Sequence, residues 1–172
     1  MGTTKQTQTP IKMIAAVVAL VAAIVFLVLY TFRGSGSSVP GTYYFDLNTR
    51  KVFVVPGSSF APIETDSGPH EGDPAGVRLF IFSCTPQKNL AGLTLEEVRA
   101  KGAFPLWFEK YTPEAKQLLQ EGDNRPEVIM DGLRMRPVDG AAWMSPNSRE
   151  AVALRNSVQQ LCPNGKASAC AP

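Results

Sequence analysis

The chain has 172 residues, 44% hydrophobic and 19% charged, with 14 glycines and 14 prolines, which suits one folded domain and excludes a collagen-like or disordered chain. Its formal net charge is +2, but Lys5, Lys12 and Arg33 flank a single apolar run, so everything after Arg33 carries 14 basic and 15 acidic side chains, a net of −1. A near-neutral domain lacks the electrostatic footprint that a phosphate backbone requires, and nucleic acid is excluded as a partner.

Residues 13–32, MIAAVVALVAAIVFLVLYTF, run for 20 residues without a charge. As a helix rising about 1.5 Å per residue this segment spans roughly 30 Å, the thickness of a hydrocarbon core. Twelve of its positions are Leu, Ile, Val or Phe, and at about −0.3 to −0.6 kcal/mol each, insertion gains on the order of 4–7 kcal/mol. A cleaved secretory signal is the rival reading, since Gly34, Ser35, Gly36, Ser37 and Ser38 follow, but its apolar core would run only about 7–15 residues. The expectation is a single-pass anchor: a cytoplasmic tail at 1–12, a transmembrane helix at 13–32, a flexible tether at 33–41 and an exported domain at 42–172. Lys5 and Lys12 before the helix, against Arg33 after it, favour a cytoplasmic N-terminus. The lipid bilayer is then one partner. Ala15, Ala16, Ala19, Ala22 and Ala23 share one helix face, where small side chains let a second copy or another membrane protein approach, although alanine is also simply common in such helices.

GSGSSVPG at 34–41 is a tether whose coil length keeps the domain roughly 15 Å from the bilayer. TYYFDL and VFVVP flank a polar turn at Asn48–Lys51 and predict a β-hairpin. Residues 57–76, rich in Gly and Pro, predict a long loop without a ladder, and Val77 to Ser83 returns to a buried strand. Thr94 with Glu97 forms a capping box that opens a short helix closed by Gly102. Thr112 with Pro113 opens a second helix that ends at Gly122, and FPLWFEKY between the two packs as core. EVIM and LRMR straddle Asp131-Gly132, a dipeptide that signals a second hairpin. Ala151, Leu154, Val158 and Leu161 mark the buried stripe of a third helix, from Arg149 to Leu161. Strands and helices mix without regular βαβ alternation, so the fold class is α+β with β-hairpins and about three helices.

Three cysteines, Cys84, Cys162 and Cys170, predict one bridge and one free thiol in an oxidising space. The turn-forming PNGKASA favours a local Cys162–Cys170 bridge, which would stabilise by roughly 2–3 kcal/mol. A Cys84–Cys162 bridge and three free thiols are the alternatives. With no CxxC pair and a single His, zinc is disfavoured. His70, Glu71 and Asp73, in PHEGDP, form the one candidate functional loop, where a base or metal ligands could gather. No GxSxG elbow, phosphate loop, GxGxxG, HExxH or EF-hand spacing accompanies it, so no catalytic, cofactor-binding or metal-ligating residue is assigned. Trp107 and Trp143 read as core anchors, and Arg134 and Arg136 as the wet face of a strand.

YYFDLNTRKVFVVP, PAGVRLFIFSC and WFEKYTPEAKQLL together resemble a group of short single-pass bacterial membrane proteins of planctomycete type, themselves uncharacterised. The resemblance covers roughly residues 42–170, and its most specific feature is the order of hairpin, Gly-Val-Arg strand ending in Ser-Cys, and Tyr-Thr-Pro-Glu helix start. Those relatives tend to carry a second Cys soon after the Cys84 position; here Thr85, Pro86 and Gln87 follow, which weighs against a redox or metal role at Cys84. The resemblance implies the architecture and transfers no activity. The expectation is a membrane-anchored, extracytoplasmic, non-catalytic interaction or accessory domain. The alternative is an enzyme or metal-dependent site using His70 with nearby carboxylates, or Cys84 as a thiol.

Overall fold

The computed structural model describes residues 41–57 and 59–172. The apolar segment 13–32, the tether up to residue 40 and the alanine face at Ala15, Ala19, Ala22 and Ala23 lie outside the described residues. Among the described residues no helix is long and apolar enough to cross a membrane.

Two β-rich runs open the domain, β1 (Gly41–Asp46) and β2 (Lys51–Pro56), paired antiparallel from Gly41–Pro56 to Asp46–Lys51. Their turn is organised by Asp46, whose Oδ1 accepts the backbone N–H groups of Asn48 (2.9 Å) and Thr49 (3.2 Å). This local competition with the ladder is what short polar side chains do best. The loop that follows is not wholly irregular. It holds a miniature hairpin of β3 (Pro69–His70) and β4 (Asp73–Pro74), a correction to the ladder-free expectation. Glu71 (φ 52°) and Gly72 (φ 90°) supply the two positive φ angles that a tight two-residue turn demands.

β5 (Gly76–Ser83) is the centre of the sheet, which runs β2-β1-β5-β6-β7, with β6 at Ala103–Tyr111 and β7 at Leu133–Pro137. Every pairing in it is antiparallel. A two-residue strand near the end of the chain, β8 (Ser168–Ala169), pairs with the far end of β5. Val77, Leu79 and Ile81 point to a first face, where Tyr43, Phe45, Val52, Leu90, Val98 and Phe108 complete the larger core. Burying each large side chain of this set contributes about 1.5–3 kcal/mol. A bulge lets Phe80 pair with Trp107 but Ile81 with Pro105, so Leu106 is the extra residue. The bulge exchanges the two faces of β6: Ala103 and Phe108 both join the first core, whereas Trp107 goes to a second core with Met135 and Ala151.

Helix α1 (Leu95–Ala100) carries the predicted capping box, with Glu97 N–H donating to Thr94 Oγ1 (3.3 Å) and Thr94 N–H to Glu97 Oε2 (2.7 Å); its Val98 is fully buried in the first core. α2 (Pro113–Gln120) starts at Thr112 as expected. The Asp131-Gly132 hairpin does not form. Residues Pro126–Gly132 are a helix, α3, running directly into β7. Neither Asp131 nor Gly132 has a positive φ, which the turn would require at both, while Pro126 at the first helical position presets the helix. Gly132 serves close packing instead: a Cβ there would lie 2.0 Å from that of Ala115 on α2. α4 (Arg149–Ser157), capped by Ser148, continues as a 3-10 turn over Val158–Gln160. Its predicted stripe holds, with Ala151 buried and Leu154 and Val158 against the second core. Four α-helices among the described residues, with an antiparallel sheet, make the domain α+β.

The disulfide corrects the local pairing. Cys84 and Cys162 are bridged, with Cα atoms 5.5 Å apart, and Cys170 is free. β8 explains the difference. Its register places Cys170 beside Ile81, with Cys170 N–H donating to Ile81 O (2.8 Å), so that the thiol packs on the first core. Cys84, one residue beyond Ser83, is on the opposite side with Leu161, and the bridge pins the end of α4 to the end of β5.

Candidate functional site

The β3–β4 register sets two of the sequence-predicted loop residues, His70 and Asp73, opposite each other, but their polar contacts run to different partners. His70 Nδ1 lies 2.8 Å from Asn48 Oδ1, and Asn48 in turn donates its amide to Gly68 O (3.0 Å). Ser67 Oγ donates to Asp46 Oδ1 (2.9 Å). Burial opposes the ionised form of Asp46, but the hydrogen bonds from Ser67, Thr49 and Asn48 outweigh it and hold the carboxyl below the usual aspartate range. Asp73 pairs with Lys110 of β6 at 2.5 Å. Glu71 is exposed, 4.0 Å from His70 Nε2. These contacts fasten the β3–β4 hairpin to the β1–β2 turn and to β6. Among the described residues, no three His, Cys, Asp or Glu side chains stand together as a metal-binding group. Cys84 is oxidised in the bridge to Cys162, one residue past β5, whereas His70 lies in β3 and contacts Asn48.

Arg136 does not lie on a wet face. Its guanidinium stacks over Phe108 (5.2 Å) and Trp143 (4.7 Å), with Nε buried and unpartnered, and burial lowers its pKa. Lys110 approaches the same indole at 4.8 Å. Trp143 thus joins the first core between two cations, a packing device as much as an anchor.

A different constellation lies on the second face. The ladder registers align Phe53, Tyr44, Arg78, Glu109 and Met135 in one row across five strands. α4 closes the Met135 end, where Arg155 Nη1 reaches the Met135 sulfur at 3.3 Å and Nη2 donates to Pro146 O (2.6 Å). At the middle of the row the segment 59–61 forms a wall. Tyr44 Oη donates to Ser59 O (2.5 Å), and Tyr111 N–H donates to Ala61 O (2.8 Å). Phe60 meets Tyr111 edge-on at 5.9 Å. The concavity so enclosed has a volume of about 110 Å³ and is lined by Phe60, Arg78, Glu109 and Tyr111, among others.

Glu109 is the unusual group. Burial pushes its carboxyl above the usual glutamate range, only partly offset by the Trp107 Nε1–H bond to Oε1 (3.0 Å) and by the Arg78 and Arg155 charges. Burial, reinforced by the Glu109 charge, also raises the Tyr111 hydroxyl. Arg78 and Glu109 are direct cross-strand partners of opposite charge, yet they form no ion pair; the Arg78 guanidinium lies over the Phe80 ring at 4.7 Å. Phe80 stacks in turn on Trp107 at 5.0 Å. The sequence does contain a signal for this row, a lone Arg in the apolar GVRLFIFS and a lone Glu beside Trp-Phe, but their meeting depends on the register of β5 with β6.

No family model, curated protein or solved structure matches the chain.

Proposed function

We propose that the chain is a membrane-anchored, extracytoplasmic accessory domain that works by binding rather than catalysis, held near the bilayer by the apolar segment 13–32 and its short tether. The observation that carries this reading is the Cys84–Cys162 bridge, because structural disulfides persist in oxidising compartments and are rare in the cytosol. A 20-residue uncharged run ahead of a disulfide-bearing domain is the pattern of a signal-anchored exported protein. The binding reading is supported over the enzymatic alternative by the oxidation of Cys84 and by the contact of the His70 ring with Asn48. The small-residue face at Ala15, Ala19, Ala22 and Ala23 supports a second copy or another membrane protein as partner. Affinity capture of the full chain from mild detergent extracts, read by native mass spectrometry, is expected to return a stable oligomer or a stoichiometric membrane partner. A clean monomer in those extracts overturns the interaction role.

A further inference from the structure

The walled concavity on the second sheet face has more polar capacity than the fold uses. Glu109 receives one hydrogen bond, from Trp107 to Oε1, and its other carboxylate oxygen has no partner among the described residues. The Tyr111 hydroxyl has none among them either. Neither atom is sealed in the protein as Tyr43 Oη is, and both residues line the concavity. Arg78 is exposed, makes no ion pair among the described residues and lies over the ring of Phe80. Lys110 also lines the concavity but is engaged with Asp73.

Among the described residues, Arg78 and Glu109 therefore line the same small space from adjacent strands without an ion pair between them. A simple anion placed there would satisfy Arg78 and be repelled by Glu109, and a simple cation the reverse. A dipolar ion satisfies both. The volume of about 110 Å³ corresponds to about four waters at roughly 30 Å³ each, which suits a compact molecule of about half a dozen heavy atoms. Phe60 and Tyr111 provide apolar wall for a short side chain, the usual mixture of a small-ligand site.

We propose that this concavity binds a small zwitterion of the α-amino-acid class, its carboxylate on the Arg78 guanidinium and its ammonium on the free oxygen of Glu109, with the Tyr111 hydroxyl as a third contact. The desolvated carboxylate of Glu109 gains a counter-ion on binding, and the planar Arg fork matches a carboxylate. The site goes beyond the accessory-domain reading and does not depend on the anchor: binding can fail with the chain still in the membrane, or succeed with the chain elsewhere.

Equilibrium dialysis of the detergent-solubilised full chain against radiolabelled alanine tests it. Saturable binding is expected, competed by unlabelled glycine or serine, with acetate and methylammonium each at least about tenfold weaker. Arg78→Gln and Glu109→Gln are each expected to weaken alanine binding about tenfold or more, and Tyr111→Phe by a few-fold. Should Glu109→Gln fail to fold, Arg78→Gln at an exposed position keeps the test intact. No saturable uptake up to about 10 mM, acetate competing as well as alanine, or unchanged binding in Arg78→Gln overturns the proposal.

Discussion

Opening the Cys84–Cys162 bridge perturbs the domain at a point where its two layers are joined. The bridged residues are 78 apart in sequence, and on the chain-entropy account closing a loop of that length stabilises by about 4.5 kcal/mol, a model-dependent figure. Measured losses on removing native bridges fall at about 2–5 kcal/mol, so a loss of about 3–4 kcal/mol is expected for the Cys84→Ser/Cys162→Ser double variant. For a domain of this size that corresponds to a fall in Tm of about 10–15 °C. Cys170→Ser should shift Tm by no more than about 3 °C, since its thiol contributes only a donation to Ser83 Oγ at 3.3 Å and partial packing. The assay is thermal unfolding by circular dichroism with and without reductant, beside a thiol titration of the denatured, unreduced chain. One reactive thiol, mapped to Cys170, is expected. A Cys162–Cys170 peptide in a non-reducing digest, or a Tm unmoved by full reduction, refutes the reasoning.

Gly132→Ala places a methyl group 2.0 Å from Ala115 Cβ between α2 and α3 and should cost about 1–3 kcal/mol in denaturant unfolding; a neutral or stabilising result would contradict the helix pairing. Asp46→Ala removes the acceptor of Asn48 N–H, Thr49 N–H and Ser67 Oγ and should cost about 2–3 kcal/mol at neutral pH. The folded pKa of Asp46 lies below its unfolded value, so its contribution is complete above the ordinary aspartate range and disappears as pH falls through the lower folded pKa. The deficit of the variant should therefore shrink on acidification, and a deficit constant with pH would exclude the charge as the source. Glu109 has the opposite sign. Its folded pKa is raised, so the native state holds the proton more tightly and stability falls as pH rises from the ordinary glutamate range to that higher value. Glu109→Gln should remove this fall in a urea-denaturation pH series, and a parallel profile in the variant would dismiss burial of the charge.

Local chemistry was legible wherever one short stretch carries its own signal. The Thr94–Glu97 capping box, the Thr112-Pro113 start and the Ala151–Leu154–Val158 stripe each mark a helix from within one or two turns. The β1–β2 hairpin and the alternation of β5 read equally well. Asp131-Gly132 misled because a turn dipeptide is a weak preference, and the packing of Gly132 on Ala115 decides against it from a distance of 17 residues. Cys170 misled for a related reason. Sequence proximity favours Cys162, but pairing of β8 with β5 puts the sheet between them. The Arg78–Glu109 concavity was not legible at all, since its row exists only once five strands have found their registers and Leu106 has bulged. His70, the conspicuous residue of the sequence, contacts Asn48 of the β1–β2 turn.

We propose that the apolar segment 13–32 holds the domain outside the cytosol. Intact cells producing the full chain can be treated with a membrane-impermeant maleimide, with and without an impermeant reductant, before fractionation. The protein is expected to sediment with carbonate-washed membranes, and exposed Cys84 to be labelled from outside only after reduction. Recovery in the soluble fraction, or labelling of Cys84 only after lysis and without reductant, would contradict it.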